Sequence, residues 1–376
     1  MRLVHATHTL AGSTGVQTYL LTAADAMQRN GHDVWLSSPE LGKASEYGEQ
    51  LGLRVAGADE LPGEFDVAFV HSAIASHDVA AAHPGLPQVF VVHGRYFDNY
   101  VPPQIAGRIS ATVTLGAFAR SRVEAAALTV PHHELRQPID RTRFRDRSPI
   151  SETPRRALIL SNYLEGERLE RLKQACALAG VSVRHVGDTG EGAVTRPEDA
   201  INQADIVFGK GRAIVEAMAC GRAAYVYDMW GSDGWVTAET YEQLESRGFG
   251  GMALPGDPSA EEIAADIRAY SRELGAWSAE TANQLHAIDD HVATLVEIAR
   301  GAAANPDDTA AFAPERELAR LARQSWRHEG QAHVLSEQLK DRNRRIEQLE
   351  AEVRAMRDSV SWRVTAPLRR LRRNNR

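Results

Sequence analysis

DIVFGKGRAIVEAMACG, residues 205–221, holds a complete structural unit in a short span. Asp205, Ile206, Val207 and Phe208 read as a buried strand. Gly209-Lys210-Gly211-Arg212 reads as a glycine-bracketed loop with two cations, and the rest as a helix carrying Glu216 in its first turns. An apolar strand without polar alternation, then a tight loop and a helix, is the repeating unit of a parallel sheet covered on both faces. Lys210 and Arg212 stand where an anion would meet the start of a helix, and arginine can grip phosphate bidentately. Glu216 is placed to accept hydroxyls of a ribose. Taken singly, the same residues also suit solvated loop charges and an acid favoured near a helix N-terminus.

The unit repeats along the chain. Strands are expected at 3–7, 33–38, 66–72, 88–94 and 111–116, with helices at 16–30 and 117–127 among them. After the polar stretch 141–155 the series restarts, with strands at 157–162, 183–187, 205–209 and 223–228 and helices at 166–179, 197–203 and 212–220. Two such series predict an α/β chain of two Rossmann-like doubly wound domains, 1–150 and 151–300. A length of 376 residues suits two cores better than one. Ligands of such sheets bind beyond the C-terminal ends of strands, here in a cleft between the domains.

Residues 301–314 read as a linker. From 315 to 360, Leu318, Leu321, Ala332, Leu335, Leu339, Ile346, Leu349, Val353, Met356 and Val360 fall on alternating three- and four-residue steps. That is a coiled-coil pattern, and it predicts a homodimer; a single solvated helix is the plainer alternative. The net charge of −7 excludes general nucleic-acid binding, yet the tail carries six arginines and no acid over residues 359–376. An acidic body with a basic tail suggests local contact with an anionic membrane surface. Cys176 and Cys220 are the only cysteines, the N-terminus has no signal-peptide stretch, and no run is long enough to span a bilayer. A cytoplasmic protein, docked at the inner membrane face through its tail, is expected.

Several segments together resemble family 4 glycosyltransferases of the GT-B fold. They are the glycine turn at Gly12 and Gly15, Asn30-Gly31-His32-Asp33-Val34, residues 137–144 (QPIDRTRF), 216–221 (EAMACG) and 251–258 (GMALPGDP). The resemblance covers most of residues 1–300. It implies sugar transfer from a nucleotide-sugar donor held mainly by the second domain, with retention of configuration and no bound metal. It makes Glu216 the ribose-binding second acid of an E-x7-E motif, sets Gly12 and Gly15 near the donor phosphates, and puts His93 near the reacting sugar with Arg95 on the acceptor side. The tail at 359–370 (SVSWRVTAPLRR) resembles that of bacterial polysaccharide glycosyltransferases, which implies a glycan or lipid-linked acceptor.

The chain departs from the family where Phe208 stands in place of the first acid. Lys210, Gly211 and Arg212 are expected to hold the diphosphate instead, and Asp233 to fill the space of the missing carboxylate as a catalytic sugar-hydroxyl acceptor. No Asp-x-Asp and no His/Cys cluster of ligand spacing is present, so neither a metal nor a cofactor beyond the donor is expected. A sugar-nucleotide epimerase and a catalytically silent partner of an active transferase remain open alternatives.

Overall fold

The computed structural model describes residues 1–376 apart from 13, 95–96, 104–108, 193, 195, 254–256, 303–311 and 359–376. Its first sheet holds β1 (Arg2–Ala6), β2 (Asp33–Ser37), β3 (Arg54–Ala56), β4 (Val67–Val70), β5 (Gln88–Val92), β6 (Ile109–Thr114) and β7 (His132–Glu134). They are all parallel, in the order β3-β2-β1-β4-β5-β6-β7. The second sheet runs β12-β11-β10-β8-β9, from β8 (Arg156–Leu160), β9 (Ser182–Val186), β10 (Ile206–Gly209), β11 (Ala223–Asp228) and β12 (Gly231–Trp235). Only β12 is antiparallel to its neighbour. Two parallel-dominated sheets meet the expectation of a two-domain α/β fold. The short edge strands β3 and β7 escaped the sequence reading, and β12 occupies a segment for which no strand was expected.

The helices are α1 (Gly15–Arg29), α2 (Lys43–Gln50), α3 (Ala73–Ala82), α4 (Arg120–Ala126), α5 (Gly166–Leu178) and α6 (Pro197–Ile201). They continue with α7 (Arg212–Ala219), α8 (Tyr241–Ser246), α9 (Ala260–Arg268), α10 (Glu273–Leu285), α11 (Ile288–Gly301) and α12 (Phe312–Asp358). On one face of the first sheet Leu3, Phe69, Val89 and Val91 pack against Tyr19, Leu20 and Met27 of α1. On the other face Val4, Val70 and Phe90 meet Ala75 and Val79 of α3. The second sheet is covered likewise, by α7 on one face and by α5 and α9 on the other. Burial on both faces explains the unbroken apolar runs.

The second half was expected to extend to residue 300. Its last helix, α11, instead sends Ile288, Val292, Leu295 and Ile298 into the core of the first sheet. Each such side chain contributes about 1.5–3 kcal/mol of burial, which is why the chain returns. The two crossings between the sheets run side by side: Ile139 N–H donates to His286 O at 2.7 Å, and Ile288 N–H to Ile139 O at 3.1 Å. Residues 137–144 therefore form part of a bridge. The segment after α1 has an equally structural reading: Gly31 adopts φ +85° and its N–H reaches Gln28 O at 2.9 Å, ending the helix as only a residue without Cβ does readily.

From Leu321 on, α12 forms a unit separate from residues 1–320, and most of the expected linker (303–311) and the basic tail (359–376) lie outside the described residues. Within α12, Leu335, Leu339, Ile346, Val353 and Met356 are all exposed. No described helix is long and apolar enough to cross a membrane.

Candidate functional site

In a doubly wound sheet the crevice lies where strand order reverses, outside the C-terminal strand ends. In the second sheet that point falls between β8 and β10, and the residues just past them are Ser161-Asn162-Tyr163 and Lys210-Gly211. Lys210 Nζ sits 4.7 Å from the Tyr163 ring centroid and 5.9 Å from that of Trp230. Its counter-charge is Asp228 Oδ1 at 3.4 Å, at the end of β11. Asp228 is buried and held by Ser161 Oγ at 2.8 Å and Met229 N–H at 2.6 Å. Burial lowers the Lys210 pKa, and Asp228 opposes the shift. Tyr163 and Trp230 are 50% and 44% exposed, so two half-exposed aromatic rings stand beside the ammonium. Such faces suit a planar ring or a sugar, and the ammonium suits a phosphate.

Gly211 opens α7 with φ +57° and ψ −126°, a conformation that favours glycine. The next residue behaves unlike Lys210. Arg212 Nε donates to Glu216 Oε1 at 2.8 Å, Nη1 to Pro138 O at 3.0 Å and Nη2 to Thr22 Oγ1 at 3.3 Å. Its side chain is only 9% exposed and that of Glu216 only 7%. The guanidinium thus joins α7 to the 137–144 bridge and to α1. Lys210 and Arg212, expected to form one anion clamp, engage different partners in the structure. Burial raises the Glu216 pKa, against the pull of Arg212 and then Arg143.

The first sheet reverses between β1 and β4, and here the strand ends carry histidines. His5 pairs in register with Phe69, and Val70 with Phe90. His71 and then His93 therefore lie two residues further along on successive strands, all on the same face. His5 Nδ1 is 3.0 Å from His71 Nε2, and His71 Nδ1 is 2.8 Å from His93 Nε2. Burial lowers His5 and His93 to about 3 and His71 well below its ordinary value. Tyr19 of α1 packs its ring edge on His93 at 4.9 Å between centroids and bonds His291 Nε2 at 2.8 Å. Tyr100 lies against His93 at 6.3 Å between ring centroids, and the bond from Arg212 to Thr22 ties the head of α7 to α1, which brings the two switch points together.

Gly12 and Gly15 border this region at the start of α1. A Cβ added at either would meet nothing within 4 Å, so neither packing nor backbone strain calls for glycine there. The turn is fixed by Thr14 N–H donating to Gln17 Oε1 at 3.0 Å, and by Gln17 Nε2 donating to Thr9 O at 3.1 Å. Asp233 is buried in β12, where its Oδ1 accepts from Ala253 N–H at 2.7 Å. Phe208 is buried against Tyr225, with ring centroids 5.2 Å apart. Arg95 lies outside the described residues. Among the described residues no group of three His, Cys, Asp or Glu side chains is arranged to hold a metal ion.

The sequence reading missed His5, His71, Tyr19, Tyr100, Tyr163 and Asp228. A signal existed for two of the histidines, since His71 and His93 fall near the ends of predicted strands, whereas His5 lies in the middle of one. Their alignment needed the strand order.

No family model and no curated protein matches the sequence. Among solved structures the chain is similar to the Anabaena protein HepE in complex with UDP, at 14% identity over 79% of this chain and 100% of that one, with a TM-score of 0.59. It is similar also to HepE with UDP-glucose, at 14% identity over 78% and 99%, with a TM-score of 0.57. The lipopolysaccharide outer core galactosyltransferase WaaB, in its apo form, gives 9% identity over 79% and 100%, with a TM-score of 0.50. At these identities the likeness establishes the fold, the two-domain GT-B architecture.

Proposed function

We propose that the chain is a GT-B glycosyltransferase of the family 4 type, moving a sugar from a nucleotide-sugar donor to a hydroxyl of a glycan or lipid-linked acceptor. The observation that carries this reading is the facing of two switch-point clusters. One is an ammonium beside two half-exposed aromatic rings, Lys210 with Tyr163 and Trp230; the other is the histidine row ending at His93, against which Tyr100 packs. HepE, of the same fold, was solved with UDP and with UDP-glucose, which supports a nucleoside diphosphate as the occupant.

In this reading Lys210 offsets diphosphate charge in a partly dry crevice, and an aromatic face receives a planar or sugar ring. The glycine turn at Gly12 and Gly15 lets phosphate oxygens approach the head of α1. Glu216 turns its second oxygen to a ribose hydroxyl, and Gly211 with Arg212 holds the head of α7 in place. His93 and Arg95 receive the acceptor, while Asp233 orders the strand behind the donor sugar. Transfer is retaining and needs no metal. Residues 1–150 with α11 form the acceptor side and the rest of 151–300 the donor side. Residues 301–314 are a linker, 315–360 pair two chains as a coiled coil, and 361–376 touch anionic membrane at its inner face. A second reading, a catalytically silent partner of an active transferase, is favoured by Phe208, where the family has an acid and this chain has core.

The test is a thermal-shift screen of UDP, GDP and ADP and their glucose conjugates, followed by measurement of nucleoside diphosphate release with lipid-linked glycans in EDTA. A ligand at a hundred times its Kd should add about 2.7 kcal/mol of stability. Stabilisation by none of them removes the transferase reading. Binding without acceptor-dependent release favours the silent partner, and release only after Mg²⁺ or Mn²⁺ is restored removes metal independence.

A further inference from the structure

The histidine row has a direction, and Met27 sets it. His5 Nε2 lies 3.4 Å from Met27 Sδ. A thioether sulfur accepts hydrogen bonds and has no proton to give. The proton of neutral His5 therefore sits on Nε2, which leaves Nδ1 bare. Nδ1 can then only accept, so His71 donates to it through Nε2–H across 3.0 Å. His71 in turn has a bare Nδ1 and accepts from His93 Nε2–H across 2.8 Å. The opposite order would set the His5 Nε2 lone pair against the sulfur lone pairs. All three rings are kept neutral by burial. His5 and His71 are shut off from solvent while His93 is partly exposed, and among the described residues His93 Nδ1 takes part in no hydrogen bond.

We infer that Met27 and His5, acting through His71, are positioning residues that lock His93 in the Nε2–H tautomer, so that it offers a bare Nδ1 as acceptor to a hydroxyl group in the cleft. The assignment of that hydroxyl to a glycosyl acceptor rests on the function proposed above; the tautomer does not. A bare nitrogen rejects a phosphate oxygen, which brings no proton, and selects a polyol. The row thus separates the two ends of the cleft by chemistry, with the anion at Lys210 and the hydroxyl at His93.

Long-range ¹H–¹⁵N spectra of the full chain labelled in its histidines distinguish bare from protonated ring nitrogens. At pH 7, His5, His71 and His93 should each show a proton on Nε2 and a bare Nδ1. A proton on Nδ1 of His93, or a charged ring, overturns the inference whether or not the protein transfers sugar. Met27→Leu, close in volume, removes the sulfur acceptor. His5 and, through His71, His93 should then populate both tautomers; a row that serves only packing leaves His93 unchanged. Glycerol at molar concentration should shift His93 Nδ1 and not the two buried rings. No shift with glycerol, or a shift with inorganic sulfate, which brings no proton at this pH, in its place, overturns the hydroxyl assignment. If the tautomers are as stated and no nucleotide binds, the lock stands and the transferase reading falls.

Discussion

Removing the Arg212 guanidinium should destabilise the protein before it alters any ligand. All three of its donor groups are engaged, with Glu216, Pro138 O and Thr22, and its partner carboxylate is 93% shielded from water. Arg212→Met keeps the length of the side chain but removes the bonded counter-charge of Glu216 and leaves it the field of Arg143. Breaking a buried pair from one side costs about 3–5 kcal/mol. Glu216→Gln is milder, since Arg212 keeps Pro138 and Thr22; the loss of one charge-assisted bond costs about 1.5–3 kcal/mol. In the double variant no lone charge remains, so its cost should fall short of the sum by about 1–3 kcal/mol. Urea unfolding of the four proteins at pH 7 measures this cycle. The pH dependence gives a second check. Burial raises the Glu216 pKa, so the folded state holds its proton to higher pH than the unfolded chain, and stability falls as pH rises from the usual glutamate value through the folded one. Arg212→Met should steepen that fall. Additive single costs, or a parental unfolding midpoint with weakened nucleotide binding, would refute the reasoning and make Arg212 an open ligand group.

Lys210→Met should behave in the opposite way, raising the Kd for the best-binding nucleoside diphosphate roughly 10- to 150-fold, the equivalent of about 1.5–3 kcal/mol; calorimetric titration giving an unchanged Kd would remove Lys210 from the site. The buried histidines make the fold acid-sensitive: His5, His93 and His291 are lowered to about 3 and His286 to about 4. The unfolded chain then binds more protons below about 6.5, so each site should take up to about 1.4 kcal/mol per pH unit from stability as pH falls towards 4, and equal urea midpoints at pH 7 and pH 5 would contradict this. Ending the chain after Ala302 should convert a dimer to a monomer in sedimentation equilibrium, because it removes the exposed apolar row of α12; a full-length chain that is already monomeric defeats the coiled-coil proposal.

The parallel sheets were legible because their strands are buried on both faces and so lack polar alternation, as in Val67–Val70 and Ala223–Asp228. The edges were not. Arg54–Ala56 and His132–Glu134 are three residues long, and only Ala56 among them is buried, which leaves too short an apolar signature to read. The path of α11 was hidden for another reason. Its apolar stripe declares a helix with one buried face, but a stripe does not say which of two cores receives it. Lys210 was found from its place after a predicted strand, and His93, near the end of another, from the family resemblance. The burial of Arg212 was not foreseeable, since its partners Pro138 and Thr22 lie 74 and 190 residues away.

The question of the missing acid shows the limit of counting along one chain. Eight residues before Glu216 stands Phe208, which faces Tyr225 inside the sheet, so a carboxylate there would be buried in the core. A carboxylate at the crevice comes instead from the neighbouring strand. Gly209 pairs with Val226, so Asp228 projects two residues past the ladder, at the height of the loop after β10, where it reaches Lys210. A spacing motif records groups that one loop brings together; a site at a switch point is assembled across strands, and its charges balance between segments far apart in sequence. Asp228 holds the ammonium between Tyr163 and Trp230 and keeps it charged against burial. Glu216, by contrast, is largely committed to Arg212. On the function proposed above, the acid that prepares this crevice for an anion is therefore the one at the end of β11, which acts through the lysine it positions.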